Sequence, residues 1–238
     1  MDAEAGVRLI LFDIDGTLVK AGGAGRKALD RACRELYGNS GVREISSLAG
    51  RTDSYNFKMA HWRSTGRRPK AHETRRLQDK YLELLPRYVK ASVRLGTYEV
   101  PTGLRRLLRL LRRDPGVLLG LGTGNIEPAA RLKLSPTGLN GYFQVGGFGS
   151  DAEHRHTLLK KARRRAERLI GKSIASNDVF VVGDTPFDVR AGRRAGFKTV
   201  AVATGYAALE ELDRSKPDHL AHDFRRTSQW LQWFGIRS

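Results

Sequence analysis

The chain has 238 residues, of which 40% are hydrophobic and 29% are charged, and this composition excludes a disordered or low-complexity chain. Its single cysteine, Cys33, excludes an intramolecular disulfide and a cysteine-based zinc cluster, which fits a reducing compartment. No apolar run is long enough to suggest a membrane span, and the acidic start of the chain lacks the basic region of a signal peptide. We therefore expect a soluble, cytoplasmic protein of one or two domains with no membrane partner.

The 43 Lys and Arg residues outnumber the 25 Asp and Glu residues, which gives a formal net charge of +18. A basic chain favours anionic partners such as nucleic acid, acidic membrane surfaces and phosphorylated metabolites. However, the arginines are spread along the chain in pairs, and the one longer basic block, residues 160–165, falls in a helical pattern. Arginine is a good helix former, so we interpret the charge as solvated helical faces. A functional polyanion surface is the alternative.

The first predicted element is a buried strand over residues 7–12, a mostly apolar run that ends at an Asp-Gly turn. From about residue 20 to residue 96, apolar residues recur at helical spacing without an intervening strand. Gly22 and Gly23 lie at the start of this stretch, before its first helical pattern, and residues 97–101 follow it, so both places are candidate hinges. We therefore predict an all-helical insertion over residues 20–96 in a core domain formed by residues 1–19 and 97–238.

Three further strands are predicted over residues 117–122, 178–182 and 198–202, and amphipathic helical patterns lie between them. Continuous apolar strands that alternate with amphipathic helices indicate an α/β fold whose parallel sheet is covered on both faces. Ligands bind beyond the carboxyl ends of the strands in such sheets. The polar clusters of this sequence lie at those strand ends, which predicts a site there.

Asp13 and Asp15 follow the first strand and bring two carboxylates into one small volume. Their repulsion would raise the pKa of one of them unless a cation is present. A divalent metal resolves this conflict, and ligation by oxygen alone favours Mg²⁺. Asp184 and Asp188 add carboxylates at a later strand end. We therefore predict a magnesium site.

Thr123 supplies a hydroxyl at a third strand end, and Gly124 and Asn125 can expose backbone N–H groups to an anion. Clustered Asp residues with a hydroxyl, exposed amides and a nearby arginine suit phosphoryl chemistry, because a carboxylate is a competent nucleophile toward phosphorus. Asp and Gly are also ordinary turn residues after strands. Three such clusters in one chain make turns alone a poor explanation.

Residues 12–18, Phe-Asp-Ile-Asp-Gly-Thr-Leu, resemble the first motif of the haloacid dehalogenase superfamily. Thr123 resembles its second motif, and residues 183–188, Gly-Asp-Thr-Pro-Phe-Asp, resemble its fourth. Residues 191–196 and Gly205 also follow the phosphoglycolate-phosphatase-like branch. The resemblance covers nearly the whole chain and implies a Rossmann-like core with a helical cap inserted after the first motif.

The resemblance implies a role for each matching residue. Asp13 would be the nucleophile that forms an aspartyl-phosphate, and Asp15 would protonate the leaving oxygen and then activate water. Thr123 and neighbouring amides would hold the phosphoryl oxygens. The residues expected to bind substrate through this part of the site are Gly16, Thr17, Gly124 and Asn125. Mg²⁺ would be bound by the Asp13 carboxylate, the Asp15 backbone carbonyl and Asp184, with Asp188 as a ligand or a supporting residue.

The third motif departs from the family pattern, because the usual Lys-Pro pair is absent. Arg155 is the best-placed cation, just before an amphipathic helix, and Lys160 is the second choice. An arginine could bind phosphoryl oxygens in a bidentate manner. In the cap, Arg51 lies in a polar loop that, by the resemblance, meets the leaving group, so it is a candidate substrate-binding residue.

Two other groups have weaker functional interpretations. His154 and His156 flank Arg155 but have no third partner at metal-ligand spacing. Trp230, Leu231 and Phe234 share a helical face, which indicates core packing more than nucleic-acid stacking.

The function predicted from these residues is a Mg²⁺-dependent phosphatase acting on a small phosphorylated metabolite, with phosphoglycolate as the leading candidate. Two alternatives use the same sequence features. A phosphomutase would pass the phosphoryl group from aspartyl-phosphate to a sugar hydroxyl. A non-catalytic polyanion-binding protein on the same scaffold would account for the net charge, although the Asp set argues against it.

Overall fold

The computed structural model describes residues 6–45 and 48–236 of the chain. The strands are β1 (Arg8–Phe12), β2 (Lys20–Ala21), β3 (Tyr98–Glu99), β4 (Val117–Gly122), β5 (Val145–Gly147), β6 (Val179–Gly183), β7 (Lys198–Val202) and β8 (His219–Ala221). The α-helices are α1 (Ala24–Tyr37), α2 (Asp53–Thr65), α3 (Ala71–Arg94), α4 (Leu104–Arg113), α5 (Glu127–Leu134), α6 (Arg155–Ile170), α7 (Pro186–Ala195), α8 (Leu209–Arg214) and α9 (Thr227–Trp233).

Six strands form one parallel sheet in the order β5-β4-β1-β6-β7-β8. β1 lies between β4 and β6, with Leu11 opposite Gly120 on one side and Val181 on the other. Its apolar run is buried on both faces, as expected for a central parallel strand. The predicted α/β fold with a parallel sheet is therefore confirmed.

Helices cover both faces of this sheet and bury two clusters of apolar side chains. Ile10 and Phe12 point to the cluster that includes Trp230 and Phe234, so the aromatic face of α9 is core packing. Leu9 and Leu11 point to the opposite cluster under α6 and α7. Successive residues of a strand point to opposite faces, so β1 serves both cores at once.

Helices α1, α2 and α3, which we call the cap, lie between β1 and β4 in sequence and bury a third apolar cluster. A two-stranded antiparallel ribbon of β2 and β3 stands where the chain enters and leaves the cap. The cap packs on the rest of the molecule through Ile126 and Ala129, which belong to the same apolar cluster. Through this contact the cap lies above the carboxyl ends of β1 and β4.

Within the ranges 6–45 and 48–236, the helices include none with the length and apolar character that crossing a membrane requires.

Candidate active site

Asp13 immediately follows β1 and continues its hydrogen bonding to the neighbouring strand. The Asp13 N–H donates to the Val182 carbonyl at 2.9 Å, so the residue is held at the carboxyl end of β1. The chain then turns: Gly16 has a φ of 90°, a conformation that only glycine adopts at low cost. A Cβ on Gly16 would also lie 2.3 Å from Oδ2 of Asp184. This turn therefore brings Asp13 and Asp184 together.

The loop after β4 carries Thr123, Gly124 and Asn125 to the same edge. The Thr123 N–H donates to Gly147 of β5, and its hydroxyl accepts from the Asn125 N–H at 3.2 Å and from Asn125 Nδ2 at 2.9 Å. Gly124 passes close to the cap, since a Cβ there would lie 2.3 Å from the Arg51 carbonyl oxygen. The position thus admits no side chain while the cap sits where it does.

Asp184 and Asp188 follow β6. The carboxylate of Asp184 accepts from the Thr17 hydroxyl at 3.2 Å and from the Tyr206 N–H at 2.9 Å. Asp188 lies in the first turn of α7, where it accepts from the N–H and hydroxyl of Thr185 in a capping box. Thr17 therefore orients a carboxylate, and the substrate contact predicted for it from sequence stays a prediction.

Asp13, Asp184 and Asp188 form a group of three buried carboxylates whose nearest oxygens all lie within 4.8 Å of one another. Oδ1 of Asp13 is buried and receives no hydrogen bond. Burial, opposed by the charge of Arg155 and assisted by that of Asp188, raises the pKa of Asp13 to about 6. Burial also raises the pKa of Asp184 well above its ordinary value, with Asp188 and Asp13 acting in the same direction.

Three oxygen-donor side chains that are buried and repel one another fit a hard divalent cation, which would relieve the repulsion and coordinate the orphaned oxygen. The donor set contains no sulfur or nitrogen, so it favours Mg²⁺ or a similar ion over zinc. The residues predicted to bind metal are therefore brought together, with the Asp15 side chain turned away from this group as described below.

Arg155 is the first residue of α6 and points into the carboxylate group. Its guanidinium donates to Asp188 Oδ1 and lies 3.5 Å from Asp13 Oδ1. Lys160, the other candidate for the third motif, is exposed and lines a separate surface depression with Arg163 and Arg164. The structure thus brings Arg155 to the carboxylates and leaves Lys160 outside.

A cavity of about 350 Å³ opens above Asp13 and Asp15, between the core and the cap. Gly124, Asn125 and Arg155 line it from the core side. The cap contributes the residues around Gly23 and Gly25 at the start of α1, the loop with Arg51, and several side chains of α2 and α3. Its position over two carboxylates and its size suit a small ligand.

Arg51 is exposed, and its guanidinium stacks over the rings of Tyr55 and Phe187 at 5.0 and 4.9 Å. It lines the cavity and also a neighbouring depression on the side of α7. The sequence prediction that Arg51 stands near the leaving-group side is consistent with this location, and its role stays a prediction.

Asp53 and Lys133 are among the polar residues of this cavity that sequence reasoning missed. Asp53 in α2 donates its N–H to the Gly124 carbonyl at 2.7 Å, and its carboxylate accepts from the Ile126 N–H at 2.9 Å, at the start of α5. Burial raises the pKa of Asp53 to about 6, although Lys133 acts to lower it. Asp53 therefore ties the cap to the loop after β4.

Lys133 is buried on α5, where its ammonium group donates to Asp15 Oδ2 and to Asn125 Oδ1, both at 2.6 Å. The signal available in the sequence was its position: three and four residues after Ala130 and Ala129, on the apolar face of the helix. A lysine on an apolar face is unusual, because its charge must be paired when it is buried.

His154 and His156 stack on each other with ring centroids 5.7 Å apart. Among the residues the structure describes, the potential metal-binding group contains only the three Asp residues, so neither histidine belongs to it. The weaker metal interpretation of this pair therefore gains no support.

Residues 10–202 match the family model for haloacid dehalogenase-like hydrolases, which covers most of the chain. The chain belongs to the haloacid dehalogenase-like hydrolases. A phosphoglycolate phosphatase from Aquifex aeolicus is 26% identical over 227 residues, spanning 90% of this chain and 95% of that protein. The resemblance inferred from the motifs and the assignment to the hydrolases are thereby confirmed.

Solved structures of this family share the fold. CbbY from Rhodobacter sphaeroides, solved in complex with phosphate, superposes with a TM-score of 0.70 at 19% identity and covers 92% of this chain and 96% of its own. A putative β-phosphoglucomutase from Bacteroides vulgatus gives a TM-score of 0.67 at 18% identity, with 97% of this chain and 90% of its own covered. These similarities confirm the Rossmann-like core with a helical cap.

Proposed function

We propose that this hydrolase is a Mg²⁺-dependent phosphatase that cleaves a small phosphomonoester through an aspartyl-phosphate on Asp13. The observation that carries the proposal is the meeting of Asp13, Asp184 and Asp188 with Arg155 under a small cavity that also holds Asp15. Phosphoryl transfer needs positioned charge more than covalent machinery, and this arrangement supplies both signs of charge around one nucleophile. The relative named phosphoglycolate phosphatase makes phosphoglycolate the leading candidate substrate.

Asp13 attacks the phosphorus, and the bond from phosphorus to the leaving oxygen breaks. Asp15 gives a proton to that oxygen, so an alcohol leaves instead of an alkoxide. Asp15 then takes a proton from water as the water oxygen attacks the aspartyl-phosphate, which releases inorganic phosphate and restores Asp13. A leaving halide would need no proton, so an acid–base carboxylate two residues from the nucleophile favours phosphate esters over haloacids.

Arg155 and the backbone N–H groups of Gly124 and Asn125 are the groups proposed to hold the phosphoryl oxygens, together with the Thr123 hydroxyl. Asp13, Asp184 and Asp188 would hold Mg²⁺, with the Asp15 carbonyl as the further ligand that the family resemblance implies. When bound, the ion supplies positive charge that offsets the negative charge of the carboxylates and the phosphoryl group.

The cap is proposed to span residues 20–96 and to move on hinges near Gly22 and residues 97–101. In its closed position it excludes water from this site. Two side chains of the cap bond to loops of the core. The Asp53 carboxylate accepts from the Ile126 N–H, and the Ser54 hydroxyl donates to the Gly149 carbonyl at 2.7 Å. Exclusion of water protects the first step from side reactions and strengthens the charge interactions. Arg51 at the cap loop is proposed to contact the leaving group.

The proposal is tested with a panel of phosphomonoesters that includes phosphoglycolate, assayed for free phosphate with Mg²⁺ and with a chelator. We expect turnover that requires the metal and that falls at least ~10³-fold in Asp13→Asn, because the amide is not a nucleophile. Asp213→Asn, at an exposed position that does not line the cavity, is the matched control and should keep full activity. Turnover that survives Asp13→Asn would contradict the assignment of Asp13.

The same residues would serve a phosphomutase, and the shared fold with the putative β-phosphoglucomutase is the observation that keeps this alternative. Isomerised sugar phosphate without net release of phosphate would support the mutase and contradict the phosphatase.

A further inference from the structure

Among the residues the structure describes, Lys133 is the one buried cation that contacts Asp15. The catalytic steps proposed above assign it no role. Its side chain is only 6% exposed, and its ammonium group lies 2.6 Å from Asp15 Oδ2. Burying a lysine is costly unless its charge is paired and its donors are satisfied. Although burial acts to lower the pKa of Lys133, the Asp15 carboxylate raises it above its ordinary value, so the residue keeps its charge.

Two donors converge on a single oxygen of Asp15. Lys133 Nζ and Asn125 Nδ2 both donate to Oδ2, at 2.6 and 2.8 Å. Lys133 also donates to Asn125 Oδ1, so the three side chains form a closed ring of hydrogen bonds. Within residues 6–45 and 48–236, no protein hydrogen bond to Asp15 Oδ1 is found, and the Asp15 side chain lines the cavity with 29% of its surface exposed.

The hydrogen-bonded ring therefore gives the two oxygens of the Asp15 carboxylate different surroundings. Oδ2 is held by two protein donors, and a carboxylate held at one oxygen cannot rotate freely about its side-chain bonds. Oδ1 is left as the oxygen that can carry a proton toward the cavity. Asn125 is in turn held by the Thr123 hydroxyl at 2.9 Å, which links the ring to the end of β4.

We propose that Lys133 is a positioning residue for the acid–base step, because it fixes Asp15 through Oδ2 so that Oδ1 exchanges the proton with the leaving oxygen and with water. This inference rests on the proposed phosphatase function. In the first step the Oδ1–H bond breaks, and the proton bonds to the leaving oxygen as its bond to phosphorus breaks. In the second step Oδ1 takes a proton from the attacking water while the bond between phosphorus and Asp13 breaks. The proton count of Asp15 is restored, and Lys133 keeps its protons throughout.

The inference predicts a dependence on the leaving group. An alkyl phosphate needs a proton on its leaving oxygen, whereas p-nitrophenyl phosphate releases a stable phenolate and does not. The measured quantity is kcat/KM, because it reports only the steps up to release of the alcohol. In Lys133→Met we expect kcat/KM for an alkyl phosphate to fall about 10²-fold, the effect of misplacing a catalytic group. For p-nitrophenyl phosphate we expect a fall of less than about 5-fold, since no proton transfer is lost.

Two further variants separate positioning from structure. Lys133→Arg keeps a cationic donor and should recover part of the activity toward the alkyl phosphate. Lys80→Met removes another ion-paired lysine, which contacts Glu35 and Glu83 in the cap, and should leave both kcat/KM values unchanged. Thermal unfolding of each variant shows whether it is folded at the assay temperature.

A double-mutant cycle with Asp15→Asn completes the test. If Lys133 acts through Asp15, adding Lys133→Met to Asp15→Asn should cost almost nothing further in kcat/KM for the alkyl phosphate. Equal losses for both esters, or additive losses in the cycle, would overturn the inference while leaving the phosphatase function intact. A wild-type protein that hydrolyses neither ester would contradict the proposed function and the inference with it.

Discussion

The carboxylates on the two sides of the cavity floor differ in the charges and hydrogen-bond donors around them. On the side of β6, Asp13, Asp184 and Asp188 crowd together around one guanidinium, and an oxygen of Asp13 stays without a hydrogen bond. On the side of α5, Oδ2 of Asp15 accepts hydrogen bonds from a buried lysine and an asparagine. The first side has an excess of negative charge, whereas the second pairs its carboxylate with a protein cation.

This difference is informative about what each side is for. A site with three buried carboxylates and one cation has an excess of negative charge, which a bound metal ion would offset. A carboxylate that is already paired needs no metal, and the Asp15 oxygen without a protein hydrogen bond faces the cavity, where the proposed proton exchange takes place. Two Asp residues that are only two positions apart in sequence, Asp13 and Asp15, thus acquire different environments because they belong to different sides.

After Asp13→Asn, the largest effect on activity should follow from removing the cation of the acid-rich side, as we call the group of Asp13, Asp184 and Asp188 with Arg155. Arg155→Ala is expected to lower kcat by about 10²–10³-fold, because the guanidinium is a proposed donor to the phosphoryl oxygens and neutralises the carboxylates. The measurement is the rate of phosphate release under saturating Mg²⁺. Lys160→Ala, on the exposed face of the same helix, is the control and should not change the rate. If Arg155→Ala and Lys160→Ala release phosphate at equal rates, the role proposed for Arg155 in holding the phosphoryl oxygens is wrong.

A smaller effect is expected on stability as a function of pH. The pKa of Asp13 is raised from 3.8 to about 6, so without metal the folded state binds this proton more tightly than the unfolded state. The stabilisation is therefore present below about pH 4 and lost as the pH rises through about pH 6. The loss from this group alone is about 3 kcal/mol, from 1.36 kcal/mol per pKa unit.

The test is urea unfolding from about pH 4 to about pH 7 in the presence of a chelator. We expect Asp13→Asn to be less sensitive to pH than the wild type, and Mg²⁺ to flatten the wild-type curve. Asp53, whose pKa is also raised, is present in both proteins, so their difference reports the titration of Asp13 together with the part of the raised pKa of Asp184 that the Asp13 charge causes. If the wild type and Asp13→Asn show the same pH dependence of unfolding, the pKa of Asp13 is not raised in the folded protein.

The sheet could be predicted from sequence where its strands are long and apolar, as for β1, β4, β6 and β7. The edge strands β5 and β8 were missed, since each has three residues and neither has enough length for a periodic signal. The short ribbon of β2 and β3 was missed for the same reason. Such strands exist because a neighbouring strand pairs with them, and that is tertiary information.

The same limit applies to the site. Asp13, Asp184 and Thr123 could be found because each follows a predicted strand, and parallel strands end at one edge. Lys133 and Asp53 lie within helices, and their relevance depends on which way each helix faces after the cap packs on α5. The sequence marks Lys133 as unusual on an apolar face, but only the packing identifies Asp15 as its partner.

The most direct test of the central claim is chemical trapping of the proposed phosphoenzyme. The protein would be mixed with substrate and Mg²⁺, quenched during turnover, and reduced with borohydride, which converts an aspartyl-phosphate to homoserine. Mass spectrometry of the peptide that contains residue 13 should then show homoserine at that position, dependent on substrate and absent from Asp13→Asn. An unmodified Asp13 in actively turning-over enzyme, or reduction at a different carboxylate, would contradict the account.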